Sequence, residues 1–280
     1  MEARNIDLGE WTLSGGGAQG ESYNHNTNPN LLLKLFGENI DRDTIINELS
    51  LTQTVYENGV PCPLPGELVS YGNRLGIIFQ RIQNKKSFCR AIADDPTCLP
   101  DMARRLAKMT RELHSKKSTD PRIPSVVDFF TDMLDSIPRI QGSMRAEMEK
   151  ALEFARQNDT HTLLHGDFHY GNVITDGTND YFIDLGAFSY GNPLFDISML
   201  YFTAFFADEK TRVENFHITG EQTREFWKYF KPAYFGPDAK SDADLCHDMK
   251  PYFLIRTLFF EAAMGPLPIF DDFRAMILKM

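Results

Sequence analysis

The 280-residue chain reads as an α+β protein in which sheet and helices are segregated: a small antiparallel sheet with one helix comes first, and a larger, mainly helical part follows. Three observations predict this. Residues 10–80 carry short extended runs punctuated by Gly, Pro, Asn and Asp, the pattern of successive hairpins. From residue 87 onward apolar residues recur at helical spacing, as in Met102, Leu106, Met109 and Leu113. Between residues 162 and 183 that pattern is interrupted by extended runs joined through Asp176-Gly177, a strong hairpin turn.

Taken in order, residues 10–14 form a strand candidate, followed by Gly15-Gly16-Gly17-Ala18-Gln19-Gly20 and a second strand over residues 21–25. A turn at residues 26–30 leads to a third strand, residues 31–36. Gly15, Gly17 and Gly20 fit Gly-x-Gly-x-x-Gly between two strands, whereas a dinucleotide fingerprint opens a helix. Glycines so placed let the backbone close over phosphates and offer amide donors to them. Alternation puts Lys34 on one face with Leu32 and Phe36, an odd place for a charge. The helix expected over residues 43–58 turns Glu48 toward the stripe of Ile45 and Leu49. A buried cation and a buried anion are costly unless paired, so the economical reading is that Lys34 and Glu48 meet. The alternative is an edge-strand lysine and a half-exposed helix glutamate.

Pro61, Pro63 and Pro65 stiffen the connection to another hairpin, with Tyr71-Gly72-Asn73-Arg74 as its turn and residues 75–79 as its return arm. That arm runs on, polar, through residue 84, where an extended segment is suited to offer backbone groups to an adenine edge; the boundary between the two parts is placed there, giving 1–84 and 85–280. Helices are expected over residues 99–114, 126–137 and 143–157, then, aromatic-rich, over 196–206, 221–235 and 252–264. Repeats and low-complexity tracts are absent from the sequence.

The chemistry gathers in the interruption. His165-Gly166-Asp167-Phe168-His169-Tyr170-Gly171-Asn172 precedes one arm of the Asp176-Gly177 hairpin, and Asp184-Leu185-Gly186 follows the other. A hairpin returns its ends to one place, so Asp167 and Asn172 can approach Asp184. Two carboxylates and an amide make an oxygen-rich site suited to Mg²⁺.

An Asp, an Asn five residues later and a second Asp after a hairpin resemble the phosphoryl-transfer machinery of the protein-kinase type. With His-Gly-Asp at residues 165–167, Ile-Asp-Leu-Gly at 183–186 and Leu113-His114, the chain resembles the aminoglycoside phosphotransferase and choline kinase branch, over about residues 10–205. The resemblance implies a bilobal protein-kinase-like fold, with residues 1–84 as the nucleotide-binding lobe and 85–280 as the catalytic and substrate-binding lobe. It implies Asp167 as the catalytic base and Asn172 and Asp184 as Mg²⁺ ligands. ATP would be covered by Gly15, Gly17 and Gly20, and positioned by Lys34 held by Glu48. Ser22 departs from the family pattern, which has Val at the position that covers adenine. Asp196 resembles the aspartate that braces the catalytic loop, and equally suits a helix cap.

The expected function is therefore ATP- and Mg²⁺-dependent phosphorylation of a small-molecule hydroxyl, on an aminoglycoside, amino alcohol or sugar-like acceptor. Only eleven residues separate Asp184 from Asp196, too few for the segment with which protein kinases dock a peptide. Residues 195–280 hold eighteen of thirty-four aromatics and are expected to roof the acceptor pocket, with Glu261, Asp271 or Asp272 available to an ammonium group. Two other classes fit the same residues: a kinase-like nucleotide-binding protein without acceptor turnover, and a metal-dependent phosphoesterase using His165, Asp167 and His169. The latter needs further ligands, and after Asp184 the histidines are His217 and His247. A net charge of −10 without a basic cluster disfavours nucleic acid. The longest apolar stretch, residues 199–207, is too short for a membrane span. Cys62, Cys89, Cys98 and Cys246 lack zinc or redox spacing, and the N-terminal residues lack a signal-peptide core, which together predict a cytoplasmic protein. Oligomeric state is not legible.

Overall fold

The computed structural model describes residues 2–17 and 19–280, so Ala18, within the expected glycine loop, lies outside the described residues. The chain begins with β1 (Arg4–Asn5), β2 (Trp11–Gly17), β3 (Gly20–His25), β4 (Leu31–Phe36), α1 (Arg42–Glu57), β5 (Pro65–Tyr71), β6 (Arg74–Gln80) and β7 (Lys86–Ser87). Helices α2 (Phe88–Asp94), α3 (Leu99–His114), α4 (Val126–Asp135) and α5 (Gly142–Gln157) follow. Next come β8 (Thr162–Leu164), β9 (Val173–Thr175), β10 (Asp180–Phe182) and β11 (Ser189–Gly191). The chain closes with α6 (Leu194–Phe205), α7 (Glu209–Phe216), α8 (Gly220–Phe235), α9 (Asp242–Met264) and α10 (Pro268–Lys279).

Contacts divide these elements into two compact units, Met1–Ser87 with Asn172–Ala187, and Phe88–Gly171 with Phe188–Met280. The division falls after Ser87 rather than after residue 84. It also assigns the β9–β10 hairpin to the first unit, because β7 pairs with β9 and Phe182 N donates to Pro61 O at 2.8 Å.

The first unit is built on a six-stranded sheet of order β1-β5-β6-β4-β3-β2, antiparallel except for the β1–β5 pair. Alternation along β4 distributes its side chains between two cores. Leu33 and Leu35 join Ile6, Trp11, Val69 and Ile78 on one face. Phe36 joins Ile45 and Leu49 of α1, with Leu68 and Ile77, on the other. Lys34 shares the second face, toward the helix.

The glycine stretch departs from the loop expected of it. Strand pairing continues through Gly15↔Ser22, Gly16↔Glu21 and Gly17↔Gly20 after a register shift past Leu13, so all the described glycines of the stretch take part in the ladder. Glycine amides and carbonyls satisfy a ladder as any residue's do, and nothing in the chain forced an earlier stop. Gly20 sits at φ 154°, and a Cβ there would lie 2.2 Å from the Leu35 carbonyl oxygen.

In the second unit α3 coincides with its expected bounds, and α9 starts ten residues before the expected residue 252. Ser241 caps α9 by accepting from Asp244 N, and Pro251 lies inside the helix. Helices α2, α7 and α10, short or weakly patterned, were not among those expected. The core gathers Phe130, Phe168, Phe188, Phe195, Phe226 and Tyr252, all essentially inaccessible. Among the described residues no helix is long and apolar enough to cross a membrane.

The two kinds of glycine should respond differently to substitution. Gly20→Ala should destabilise by more than about 1 kcal/mol, because backbone must move. Gly15→Ala, where a Cβ meets nothing within 4 Å, should be close to neutral. Urea unfolding of the two variants compares them directly; equal losses would refute the steric account of Gly20.

Candidate functional site

In the first unit a charged cluster forms around Lys34. Its Nζ donates to Glu48 Oε1 at 2.7 Å, Asp184 Oδ1 at 2.9 Å and Gln19 Oε1 at 3.1 Å, and lies 4.8 Å from the centre of the Phe36 ring. Helix α1 supplies Glu48 because Ile45 and Leu49 fix which side packs on the sheet, and Glu48 is buried with them. Burial opposes the Lys34 charge, but Asp184 and then Glu48 outweigh it, and its pKa rises above the ordinary 10.5. The Glu48 pKa also rises, from burial first, with Lys34 opposing and Asp184 adding. One ammonium shared by two carboxylates accounts for both directions: the cation gains from two anions, and the more deeply buried anion bears the desolvation.

Asp184 reaches this cluster from the β9–β10 hairpin, whose register runs Val173↔Phe182, Ile174↔Tyr181 and Thr175↔Asp180. Beyond the strands Ile183 N donates to Asn172 O at 3.0 Å, which sets Asn172 across from the residue before Asp184. Asp184 takes φ 56°, the left-handed region that non-glycine residues rarely use. Strained backbone of this kind concentrates at ligand sites and switches. Asn172 is buried, whereas the Asp184 side chain is about half exposed. The donor set suits Mg²⁺: a hard carboxylate and an amide oxygen, with room left for water and substrate phosphates. Among the described residues no three or more His, Cys, Asp and Glu form a metal-binding group, His165, Asp167 and His169 included.

In the second unit the loop after β8 carries Asp167. Pairing of β8 with β11, Leu164↔Ser189, fixes where the loop starts. Asp196, buried in the first turn of α6, then holds its backbone: His165 N donates to Oδ2 at 2.7 Å and Gly166 N to Oδ1 at 3.0 Å. His114 Nε2 meets the same Oδ2 at 3.1 Å, and its Nδ1 meets the Tyr234 hydroxyl at 2.6 Å. Asp196 is thus a brace, and the helix cap position falls to Pro193. Burial would raise the Asp196 pKa, but His114, His165 and Arg256 bring it below the ordinary value.

His169 Nδ1 accepts from Gly171 N at 3.0 Å, and its Nε2 faces Asp167 Oδ2 at 3.7 Å. Burial raises the Asp167 pKa, and His169, then His165 and Arg256, outweigh it and hold the carboxyl well below the usual range.

The profile of a phosphotransferase enzyme family matches residues 10–230. The chain belongs to that family. Its fold is the protein-kinase-like one, α+β, with an antiparallel-rich N-terminal sheet and a helical C-terminal part. Among solved structures, an aminoglycoside-3′-phosphotransferase of type VIII is 17% identical, with a TM-score of 0.56 over 89% of this chain and 93% of the other. A choline/ethanolamine kinase family protein from Mesorhizobium loti is 16% identical, with a TM-score of 0.56 over 96% and 86%. An aminoglycoside phosphotransferase from Streptomyces rimosus, solved with ADP and streptomycin, is 15% identical, with a TM-score of 0.55 over 88% and 92%. At these identities the likeness is one of fold. A search of curated proteins returns no sequence match.

For this phosphotransferase family member the structure also corrects two expectations. Glu261 and Asp271 are not available to an ammonium group, because arginines already hold them. Arg274 Nη2 donates to Glu261 Oε2 at 2.5 Å and its Nη1 to Asp271 Oδ1 at 3.1 Å. Arg139 grips both carboxylates as well, at 2.6 Å from Glu261 Oε2 and 2.9 Å from Asp271 Oδ2. In the segment expected to face an adenine, Gln80 N and Arg81 N are committed to the carbonyls of Leu64 and Asn30.

Arg256 was missed. It is fully buried on α9 and donates to Gly166 O at 3.2 Å. Its signal was a lone charge inside the run Tyr252-Phe253-Leu254-Ile255-Arg256-Thr257-Leu258-Phe259-Phe260. Gln19 was missed too, and a glutamine beside a glycine stretch carries no such signal.

Removing the shared cation should expose its role. Lys34→Met leaves two carboxylates facing each other and should destabilise the protein on the order of 3–5 kcal/mol at about pH 8. Glu48, already shifted up from 4.5, then takes a proton more readily in the folded than in the unfolded state. The folded state therefore binds more protons, and stability falls as pH rises; the loss should shrink at about pH 5. Chemical denaturation at both pH values checks this, and a pH-independent loss would count against it.

Proposed function

We propose that this phosphotransferase transfers the γ-phosphoryl group of ATP to a hydroxyl of a small molecule. The observation that carries the reading is Lys34 held between Glu48 and Asp184 within a chain of this family. A lysine fixed in this way presents a localised cation to phosphate oxygens, and Gly15, Gly17 and Gly20 lie on the adjoining hairpin, where a Cβ at Gly15 or Gly17 would meet nothing within 4 Å. The ADP bound in the Streptomyces rimosus relative supports ATP as donor.

In this reading Asn172 and Asp184 hold Mg²⁺, which when bound neutralises charge on the phosphate oxygens. Asp167 serves the acceptor. Because its neighbours keep it ionised at neutral pH, it accepts a hydrogen bond from the attacking hydroxyl and aims the oxygen. A carboxylate with so low a pKa is a weak base, and it takes the proton late, as the new P–O bond forms. That suits phosphoryl transfer, whose loose transition state asks for positioning more than for basicity.

The acceptor is small in this reading because the eleven residues after Asp184 are already committed. Leu185–Ala187 form a 3-10 turn, Ser189–Gly191 form β11, and α6 begins at Leu194. The streptomycin bound to one relative and the choline kinase kinship of another keep aminoglycosides, amino alcohols and sugar-like molecules as acceptor classes. The four cysteines, without zinc or redox spacing, accord with a cytoplasmic enzyme.

Turnover of ATP against a panel of these acceptors, with generic peptides alongside, tests the reading. Small-molecule turnover without peptide phosphorylation is expected, and the reverse would overturn it. Asp167→Asn should keep nucleotide affinity while slowing transfer about 10²–10⁴-fold. Asp184→Ala should instead remove the thermal shift that ATP gives with Mg²⁺ but not with EDTA. A wild-type rate for Asp167→Asn would disprove its assignment.

A further inference from the structure

Arg256 is an expensive residue to place where it is. Its guanidinium is essentially inaccessible, and burial pulls its pKa down to about 10, against Asp196 and Asp167, which raise it. Stability alone would be served as well by an apolar side chain of similar volume. What an apolar residue could not do is hold two carbonyls at once. Arg256 Nη1 donates to Gly166 O at 3.2 Å; Nη2 and Nε donate to Phe195 O at 2.7 Å and 3.1 Å, and Nε also to Ser198 Oγ at 2.9 Å. Its plane lies against the Phe195 ring, 4.1 Å from the centroid.

Those carbonyls are not arbitrary ones. Gly166 O belongs to the peptide that leads into Asp167, and Phe195 O to the peptide that leads into Asp196. Asp196 in turn takes the amide protons of His165 and Gly166, so both polar groups of Gly166 are held, the N–H from α6 and the C=O from α9. Gly166 needs that restraint, since φ 85° is a conformation a glycine leaves easily.

We infer that Arg256 is a positioning residue for the transfer reaction: by bridging the carbonyls of Gly166 and Phe195 it fixes the peptide plane from which Asp167 projects. The inference rests on the role proposed above for Asp167. A lysine carries the same charge as a compact point donor and cannot span both carbonyls with a planar fork.

The test compares wild type with Arg256→Lys, Arg256→Met and Arg256→Ala. With an accepted small-molecule acceptor, Arg256→Met should lower kcat about 10²-fold, the scale of a small misplacement of a reacting group. KM for ATP should stay unchanged. Arg256→Lys should fall between, and added guanidinium should restore part of kcat to Arg256→Ala. Amide hydrogen exchange over residues 163–172 gives a readout that needs no turnover. It should quicken in Arg256→Met, and in Arg256→Lys if the Met variant fails to fold, while helices remote from α9 keep their protection. A wild-type kcat in the Met variant, or exchange at residues 165–167 unchanged in the folded variants, would overturn the inference. If wild type turns over no acceptor, the functional reading fails, and the exchange measurement still decides whether Arg256 holds the loop.

Discussion

A single ammonium group ties together three elements of the first unit. Lys34 comes from the middle of the sheet, Glu48 from α1 and Asp184 from the end of the β9–β10 hairpin. The strand and α1 are consecutive in the chain, the hairpin lies more than a hundred residues further on, and each would carry a costly buried or half-buried charge without the others. The cost of leaving any one unpaired restricts the rotation of α1 and the position of the hairpin far more than apolar packing alone does. Leu49 and Ile45 tolerate small slides; a 2.7 Å ion pair does not. The raised Lys34 pKa has a defined consequence for stability. Its contribution is complete below the ordinary lysine value and fades only as pH climbs through the higher folded value, so Lys34 is charged across the neutral range.

The second unit is organised by the same physics with the sign reversed. There a carboxylate, Asp196, is the buried centre, and it gathers backbone amides and an imidazole rather than a lysine. Arg256 completes the arrangement from α9. A further network, in which buried Glu261 and Arg274 are joined by the more exposed Arg139 and Asp271, ties α9 to α10 and to the segment after α4.

Much of this was legible because the sequence misplaces charges visibly. Lys34 on an apolar strand face and Glu48 on an apolar helix stripe required each other, and they lie 2.7 Å apart. The Asp167, Asn172 and Asp184 spacing and the Asp176-Gly177 turn placed the hairpin correctly, because a turn and two short arms are local. What was not legible depended on distant partners. Glu261 looked like a free carboxylate because its arginines lie at positions 139 and 274, where no periodicity announces a contact; Asp271 and Arg274 are three apart on α10, a pairing that became readable only with that helix, which was not expected. Arg256 was readable only as an unexplained charge. The glycine stretch misled for a different reason: glycine is as compatible with a ladder as with a loop, and pairing of β3 with β4 decides in favour of the ladder.

Asp167 shows why the loop needs so much support. The groups that surround it, His169, His165 and Arg256, lower its pKa and so weaken it as a base. A carboxylate held charged in this way can orient a partner only if it is accurately aimed. Aim then depends on backbone, because the aspartate side chain is short and its direction is set by the peptide before it. That peptide is the one from Gly166, whose amide is held by Asp196 and whose carbonyl is held by Arg256.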